Sequence, residues 1–207
     1  MALCLPSLSG CFTGERPELL SDRTLPPLSD EAASSVIASL GSTPTVPFTV
    51  TYTVVTRYGG LEADASLAFD PELGTSVNIA EVRYLTKPDG STLTCSTITG
   101  DCVTGIDETR VSDRQLTSSI FTVSAAERIR QDLKVAVADS TTGPTEIAGR
   151  PTACAVIPVV DSSGVRREKS YCSFTEFGVV ALLDTADLLI TTVEVQTTAD
   201  PSYFTGG

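Results

Sequence analysis

The sequence predicts an α+β fold: an antiparallel sheet of about eight strands with helices laid over its dry face. Two stretches of period-two alternation carry this, one from Phe48 to Ser96 and one from Thr145 to Phe204. Two segments of helical spacing, near Asp30–Gly41 and Ser124–Val137, supply the cover. Gly and Pro clusters between the runs mark the turns.

The first helix is expected from Ser29, which stands before Asp30 and Glu31 as a cap with acids in the opening turn. Ala32, Ala33, Val36, Ile37 and Leu40 follow at helical spacing, Gly41 closes the segment, and Pro44 and Pro47 prevent its continuation. Phe48–Thr56 then sets Phe48, Val50, Tyr52 and Val54 on one face and threonines on the other. Gly59-Gly60 turns it into Leu61–Phe69, where Leu61, Ala63, Ala65 and Leu67 alternate with polar residues. Val77–Leu85 and Ser91–Ser96 follow, divided by Lys87-Pro88-Asp89-Gly90. Alternation this regular implies one wet and one dry face.

Gly105–Thr122 is polar and ambiguous, and Leu116–Phe121 fits either a helix or a loop. Ser124-Ala125-Ala126-Glu127 reads as a capping box, with Ile129, Leu133, Ala136 and Val137 on one face of the helix it would open. Four strands close the chain: Thr145–Val160, Val165–Phe174, Val179–Asp184 and Leu188–Thr197. The first two flank Asp161-Ser162-Ser163-Gly164, a connector suited to a hairpin.

Composition bounds the function. The chain has 207 residues, enough for one domain with an ordinary core. Its net charge of −12 argues against nucleic acid or anionic headgroups as electrostatic partners. Histidine is absent, which removes His triads, His-ligated zinc and most neutral-pH general bases. No catalytic motif, metal-ligand spacing or cofactor motif is found. The carboxylate pairs Glu62/Asp64, Asp107/Glu108 and Asp184/Asp187 lie in turns or on a wet face, where acids solvate. Arg166-Arg167-Glu168-Lys169 reads as an exposed charged arm.

At the N-terminus, Leu8-Ser9-Gly10-Cys11 resembles the bacterial lipobox, which implies lipidation at Cys11 and a membrane anchor. Only ten uncharged residues precede Cys11, so residues 1–11 read as a truncated signal, with the natural start upstream or the leader cut short. Residues 12–28, rich in Pro, Ser and charge, read as a tether, and 29–207 as one domain. Beyond Cys4 and Cys11, four cysteines remain. Three pairings are possible, and hairpin geometry prefers Cys95 with Cys102 and Cys154 with Cys172. Neither pair has the usual spacing of a thiolate zinc site. Disulfides imply an oxidising compartment.

The helix leading into Phe48-Thr49-Val50-Thr51-Tyr52 resembles the opening of LolA/LprG-type lipoprotein carriers. So does the closing pattern of Ile147-Ala148-Gly149-Arg150, Tyr171-Cys172, Phe177-Gly178-Val179-Val180 and Asp200-Pro201-Ser202-Tyr203-Phe204. In particular it is similar to small actinobacterial secreted lipoproteins with two disulfides. The resemblance, over roughly Asp30 to Phe204, implies a strongly curved half-barrel whose concave face is closed by helices. It implies a non-enzymatic, monomeric envelope lipoprotein holding a lipid or other hydrophobic ligand. The residues expected to line that cavity are Tyr52, Val54, Leu67, Val82, Tyr84, Val156, Val180, Leu182, Leu189 and Val193, with Ile129 and Leu133 from the helix above. The same residues in a closed core would pack together. The alternative is therefore an envelope sensor or interaction module, similar to RseB-type regulators, with a filled core.

Overall fold

The computed structural model describes residues 30–107, 116–161 and 163–205. Cys11, the tether, Ser29 and Glu108 lie outside them. The strands are β1 (Phe48–Thr56), β2 (Leu61–Asp70), β3 (Gly74–Ile79), β4 (Val82–Thr86), β5 (Thr92–Ser96) and β6 (Cys102–Thr104). They continue as β7 (Thr141–Thr142), β8 (Glu146–Ile147), β9 (Arg150–Val160), β10 (Arg166–Phe174), β11 (Val180–Asp184) and β12 (Leu188–Gln196). All pair antiparallel, in the order β6-β5-β4-β3-β2-β1-β12-β11-β10-β9-β7, with β8 also on β9. The sheet does not close on itself, and its centre is the joint between the first strand and the last.

Among the described residues twelve strands stand where about eight are expected. Part of the difference is local. Val77–Leu85 is not one strand but two, broken at Ala80, which turns with φ of 52° and no glycine to announce it. Thr145–Val160 likewise divides, at Ala148 and Gly149 with φ of 49° and 73°, into β8 and β9, which fold back on each other. The remaining additions, β6 and β7, have three and two residues, too few to show a period.

One face of the sheet carries the core. Cross-strand neighbours Ala155, Tyr171, Leu183, Ile190, Val54 and Ala63 form a continuous buried row across six strands. Beside it run Tyr52, Ala65, Ile79 and Val82, then Val50, Leu67, Val77 and Tyr84. Over this face lie α1 (Glu31–Leu40), a 3₁₀ turn (Ser118–Phe121) and α2 (Val123–Leu133). Burial of such apolar rows is the main stabilising term, about 25 cal/mol per Å².

Helix α1 buries Ala33, Val36 and Leu40, the i, i+3, i+7 stripe its sequence prepares. Its cap is Asp30, whose carboxylate accepts from the Ala33 amide at 2.9 Å and the Ser140 amide at 2.8 Å, as well as from the Ser140 hydroxyl. At its far end Ser39 Oγ donates to the Phe174 carbonyl at 3.1 Å. There the β10–β11 turn passes so close that only glycine fits: Gly178 has φ of 68°, and a Cβ would stand 2.6 Å from the Ser42 carbonyl oxygen.

Helix α2 departs from its expected start and end. Val123 opens it, Thr122 makes no side-chain cap bond, and Ser124 instead shares a 2.7 Å hydrogen bond with Ser119. The capping box is therefore not formed. Ala136 and Val137 lie past the helix end, where Val137 donates its amide to the Pro158 carbonyl along the edge of β9.

Both disulfides join directly opposite residues: Cys95 with Cys102 across β5–β6, and Cys154 with Cys172 across β9–β10. Their Cα atoms are 4.0 and 4.1 Å apart. Near the chain end a 3₁₀ turn (Pro201–Phe204) lies against β3, where Ser76 Oγ donates to the Tyr203 carbonyl at 2.6 Å.

Candidate functional site: a filled interior and surface clefts

The space between sheet and helices is occupied by the chain's own side chains. Phe48, Tyr52, Phe121, Phe174, Phe177 and Ile129 are all under 2% exposed. Phe48 stacks on Phe177 at 4.4 Å between ring centroids, and Tyr52 meets Phe121 at 4.7 Å, both within the range of favourable aromatic pairs. The Tyr52 hydroxyl donates to the Val180 carbonyl at 2.9 Å, and the Tyr84 hydroxyl to the Leu116 carbonyl at 3.1 Å. Burial pushes both phenols upward in pKa, and Asp107 adds to the effect at Tyr84.

Of the residues expected to line a cavity, Tyr52, Val54, Leu67, Val82, Tyr84 and Val180 do face the helices, where Ile129 and Leu133 are buried. Val156, Leu182, Leu189 and Val193 do not, and this corrects the expectation. Leu182 pairs with Cys172 and Thr191 on the opposite face, Leu189 with Val55, and Val156 with Ser170. Val193 is 64% exposed. Two β-bulges explain most of it. Tyr52 pairs with Thr192 while Thr51 pairs with Glu194, which leaves Val193 unpaired and reverses the phase along β12. The second bulge does the same around Ala181. In β9 the run Ala153–Val160 is apolar almost throughout and gives no phase to read.

Polar chemistry gathers at the β10 end of α2. Asp132, only 8% exposed, accepts from Lys169 Nζ at 2.6 Å and from the Tyr171 hydroxyl at 2.5 Å. Desolvation and the neighbouring carboxylate drive the Tyr171 phenol far above its usual range. Close by, Arg128 binds Asp187 at 2.8 Å, and Thr185 donates to the same carboxylate. Burial alone would raise the pKa of Asp187, but the hydrogen bonds from Thr185 and Arg128 hold it below the ordinary value. Asp30 behaves alike, burial opposed and outweighed by Ser140 and Ala33. The sequence barely announces this network. Its only signal is Asp132, a carboxylate one residue from Leu133 and three from Ile129, on the buried stripe.

The carboxylate pair Asp184/Asp187 is divided between two arginines, Arg57 to Asp184 at 2.5 Å and Arg128 to Asp187. Asp64 faces away from the helices, in register with Thr53. Clefts open on the surface among the described residues. One, of about 640 Å³, lies between the start of α1 and the Thr142–Thr145 segment over β9. A polar one of about 390 Å³ adjoins Asp132 and Lys169. Another, about 460 Å³, lies past the end of α2 between the β9–β10 hairpin and the β11–β12 turn. No helix among the described residues is long and apolar enough to cross a membrane.

Fold and surface thus define an α+β domain stapled by two disulfides, with a packed interior and its clefts outside. No family model matches the chain, and no curated protein matches it. Among solved structures it is similar to MucB in complex with MucA(peri), at 15% identity and a TM-score of 0.43, over 83% of this chain and 57% of that one. It is similar to a crystal structure of MucB at 16% identity and a TM-score of 0.39, over 82% and 60%. The MucA/MucB complex of Pseudomonas aeruginosa matches at 14% and 0.43, over 85% and 61%. The chain spans about three fifths of the length of those chains.

Proposed function

We propose that this chain is an exported, non-catalytic interaction module of the cell envelope that binds a protein partner through its surface. The observation that carries this reading is the filled interior: Tyr52, Phe121, Phe174 and Phe177 occupy the volume in which acyl chains would have to lie. A lipid carrier needs a connected apolar cavity. The two disulfides support a site of action in an oxidising compartment. Anchoring by a lipid on Cys11 belongs to the same proposal. It is tested by the mass of the N-terminal peptide from exported protein, where an unmodified cysteine would refute it.

The test of the main reading is native mass spectrometry of exported protein before and after organic extraction, joined to titration with a fluorescent fatty-acyl probe. The expected result is an unliganded mass with two disulfides and no probe uptake. A co-purifying mass that leaves on extraction, with saturable uptake of the probe, would restore the carrier reading and overturn this one.

A further inference from the structure

Beyond β12 the chain returns across the face of the sheet that the helices leave bare. Thr49, Ala68, Ser76 and Leu85 are cross-strand neighbours on that face, one each from β1, β2, β3 and β4. All four are at most 5% exposed, whereas Asp64 and Thr191, which flank Thr53 on the same face, are open to solvent. The segment lying on the buried row is residues 198–205. Thr49 Oγ1 donates to the Thr198 carbonyl at 2.9 Å, and Ser76 Oγ to that of Tyr203 at 2.6 Å. Arg83, one row along on β4, donates from one Nη to the carbonyls of Thr205 at 2.5 Å and Ser202 at 3.3 Å.

This seat is built in one direction. Its four bonds run from side chains of the sheet to backbone carbonyls of the segment, and among the described residues none runs back. The segment's own bonds are internal. The Asp200 carboxylate accepts from the Ser202 amide at 2.8 Å, the Asp200 carbonyl from the Tyr203 amide at 3.0 Å, and the Ser202 carbonyl from the Thr205 hydroxyl at 3.0 Å. All three survive if the segment lifts as a unit. Its 3₁₀ turn buries no residue: Pro201 and Ser202 are exposed, Tyr203 and Phe204 half-buried. Segments with few buried apolar contacts open at free energies well below that of global unfolding. Arg83 makes two of the four bonds and is itself held from the sheet. Its Nε donates to Asn78 Oδ1 at 2.9 Å, and Asn78 Nδ2 donates to Ser66 Oγ at 3.1 Å.

We infer that residues 198–205 form a strap that lifts from the sheet as a unit, separately from global unfolding, and that Arg83 is the residue that holds it down. Closed, the strap keeps Ala68 and Leu85 dry. Open, it presents both of them and the Arg83 guanidinium to solvent. The strap therefore sets what this face of the sheet shows, whether or not the interior on the other face is filled.

The test uses the full disulfide-bonded chain, with opening read by amide exchange at Tyr203 and by chymotryptic cleavage after Tyr203 and Phe204. Where reclosing outpaces cleavage, the cleavage rate follows the open population. Arg83→Gln should raise both rates at least tenfold with the urea midpoint unchanged. It should also shift the methyl resonances of Ala68 and Leu85 and leave those of Val36 and Ile129 in place. Gly178→Ala, which disturbs the seat of α1 far from the strap, should lower the urea midpoint and leave both strap rates at the wild-type value. Strap rates that rise in step with that loss of stability would mean the strap opens only with the whole fold, and would overturn the inference. So would wild-type rates in Arg83→Gln, or Ala68 and Leu85 methyls that do not move. If Arg83→Gln does not fold, Ser76→Ala, which deletes the bond to Tyr203, carries the same expectations.

Discussion

Replacing Gly178 by alanine tests how α1 is seated on the sheet. The left-handed backbone there, φ of 68°, costs a residue with a Cβ about 1–2 kcal/mol. The new methyl would also stand 2.5 Å from Ser42 Oγ, 2.6 Å from the Ser42 carbonyl oxygen and 3.0 Å from that of Ser39. The hydroxyl can rotate away, but the two carbonyls are backbone and yield only if the end of the helix moves. That movement gives up the Ser39–Phe174 hydrogen bond, worth about 1 kcal/mol, and loosens the packing of Phe174 and Phe177. The total is about 3 kcal/mol, or about 6–12 °C of melting temperature for a domain of this size. Gly90→Ala is the control. Its φ is 82° with nothing within 4 Å of a Cβ, so it bears only the conformational cost, about 1 kcal/mol. Urea unfolding with an unchanged slope measures both. Equal losses for the two variants would refute the seating of α1 against the β10–β11 turn.

Three further outcomes are expected. Removing the Cys154–Cys172 bridge as a double alanine variant should cost about 3 kcal/mol and removing Cys95–Cys102 about 2 by loop closure, measured by urea midpoints; the reverse order would contradict the entropic account. Asp30 and Asp187 have depressed folded pKa values, so the stability they contribute is present above the unfolded value of 3.8 and lost as pH falls through the folded one. The urea midpoint should hold from pH 7 to near 5 and drop below pH 3.8, with a shallower drop for Asp30→Asn; an unchanged drop would refute the role of Asp30. Ser173→Ala should be neutral or stabilising in the same assay. Its hydroxyl is fully buried without a hydrogen-bond partner among the described residues, and a loss above about 1 kcal/mol would show that it has one.

Much of this architecture is legible in the chain because local chemistry and tertiary demand agree. Phe48–Thr56 and Leu61–Asp70 alternate cleanly and become the paired strands β1 and β2, in register from Phe48 with Phe69 to Thr56 with Leu61. The cysteines of β9 and β10 meet as counting from their turn suggests. What escapes is non-local or unmarked. Ala80 turns the chain without glycine, and the phase of β12 depends on a bulge set by its pairing with β1, residues far away in sequence. Ser124 looks like a cap because Glu127 follows it, yet Thr122 takes that position once the 3₁₀ turn runs into the helix. Asp132 is polar by type and buried by context, and its partners Lys169 and Tyr171 come from a strand beyond the helix. The groove past α2 needs four separate segments to exist and leaves no linear trace.

The central joint between β1 and β12 has a kinetic consequence. Thr49 donates its hydroxyl to the Thr198 carbonyl, 149 positions away, and β1 is paired to the final strand from Thr49 to Thr56. Contacts of such separation require closing most of the chain before any stabilisation is returned, which slows folding. Until Leu188–Gln196 arrives, β1 has an open hydrogen-bonding edge and the rows on either side cannot meet. Chains that stop short of that strand should be the form most open to proteolysis and to pairing with one another.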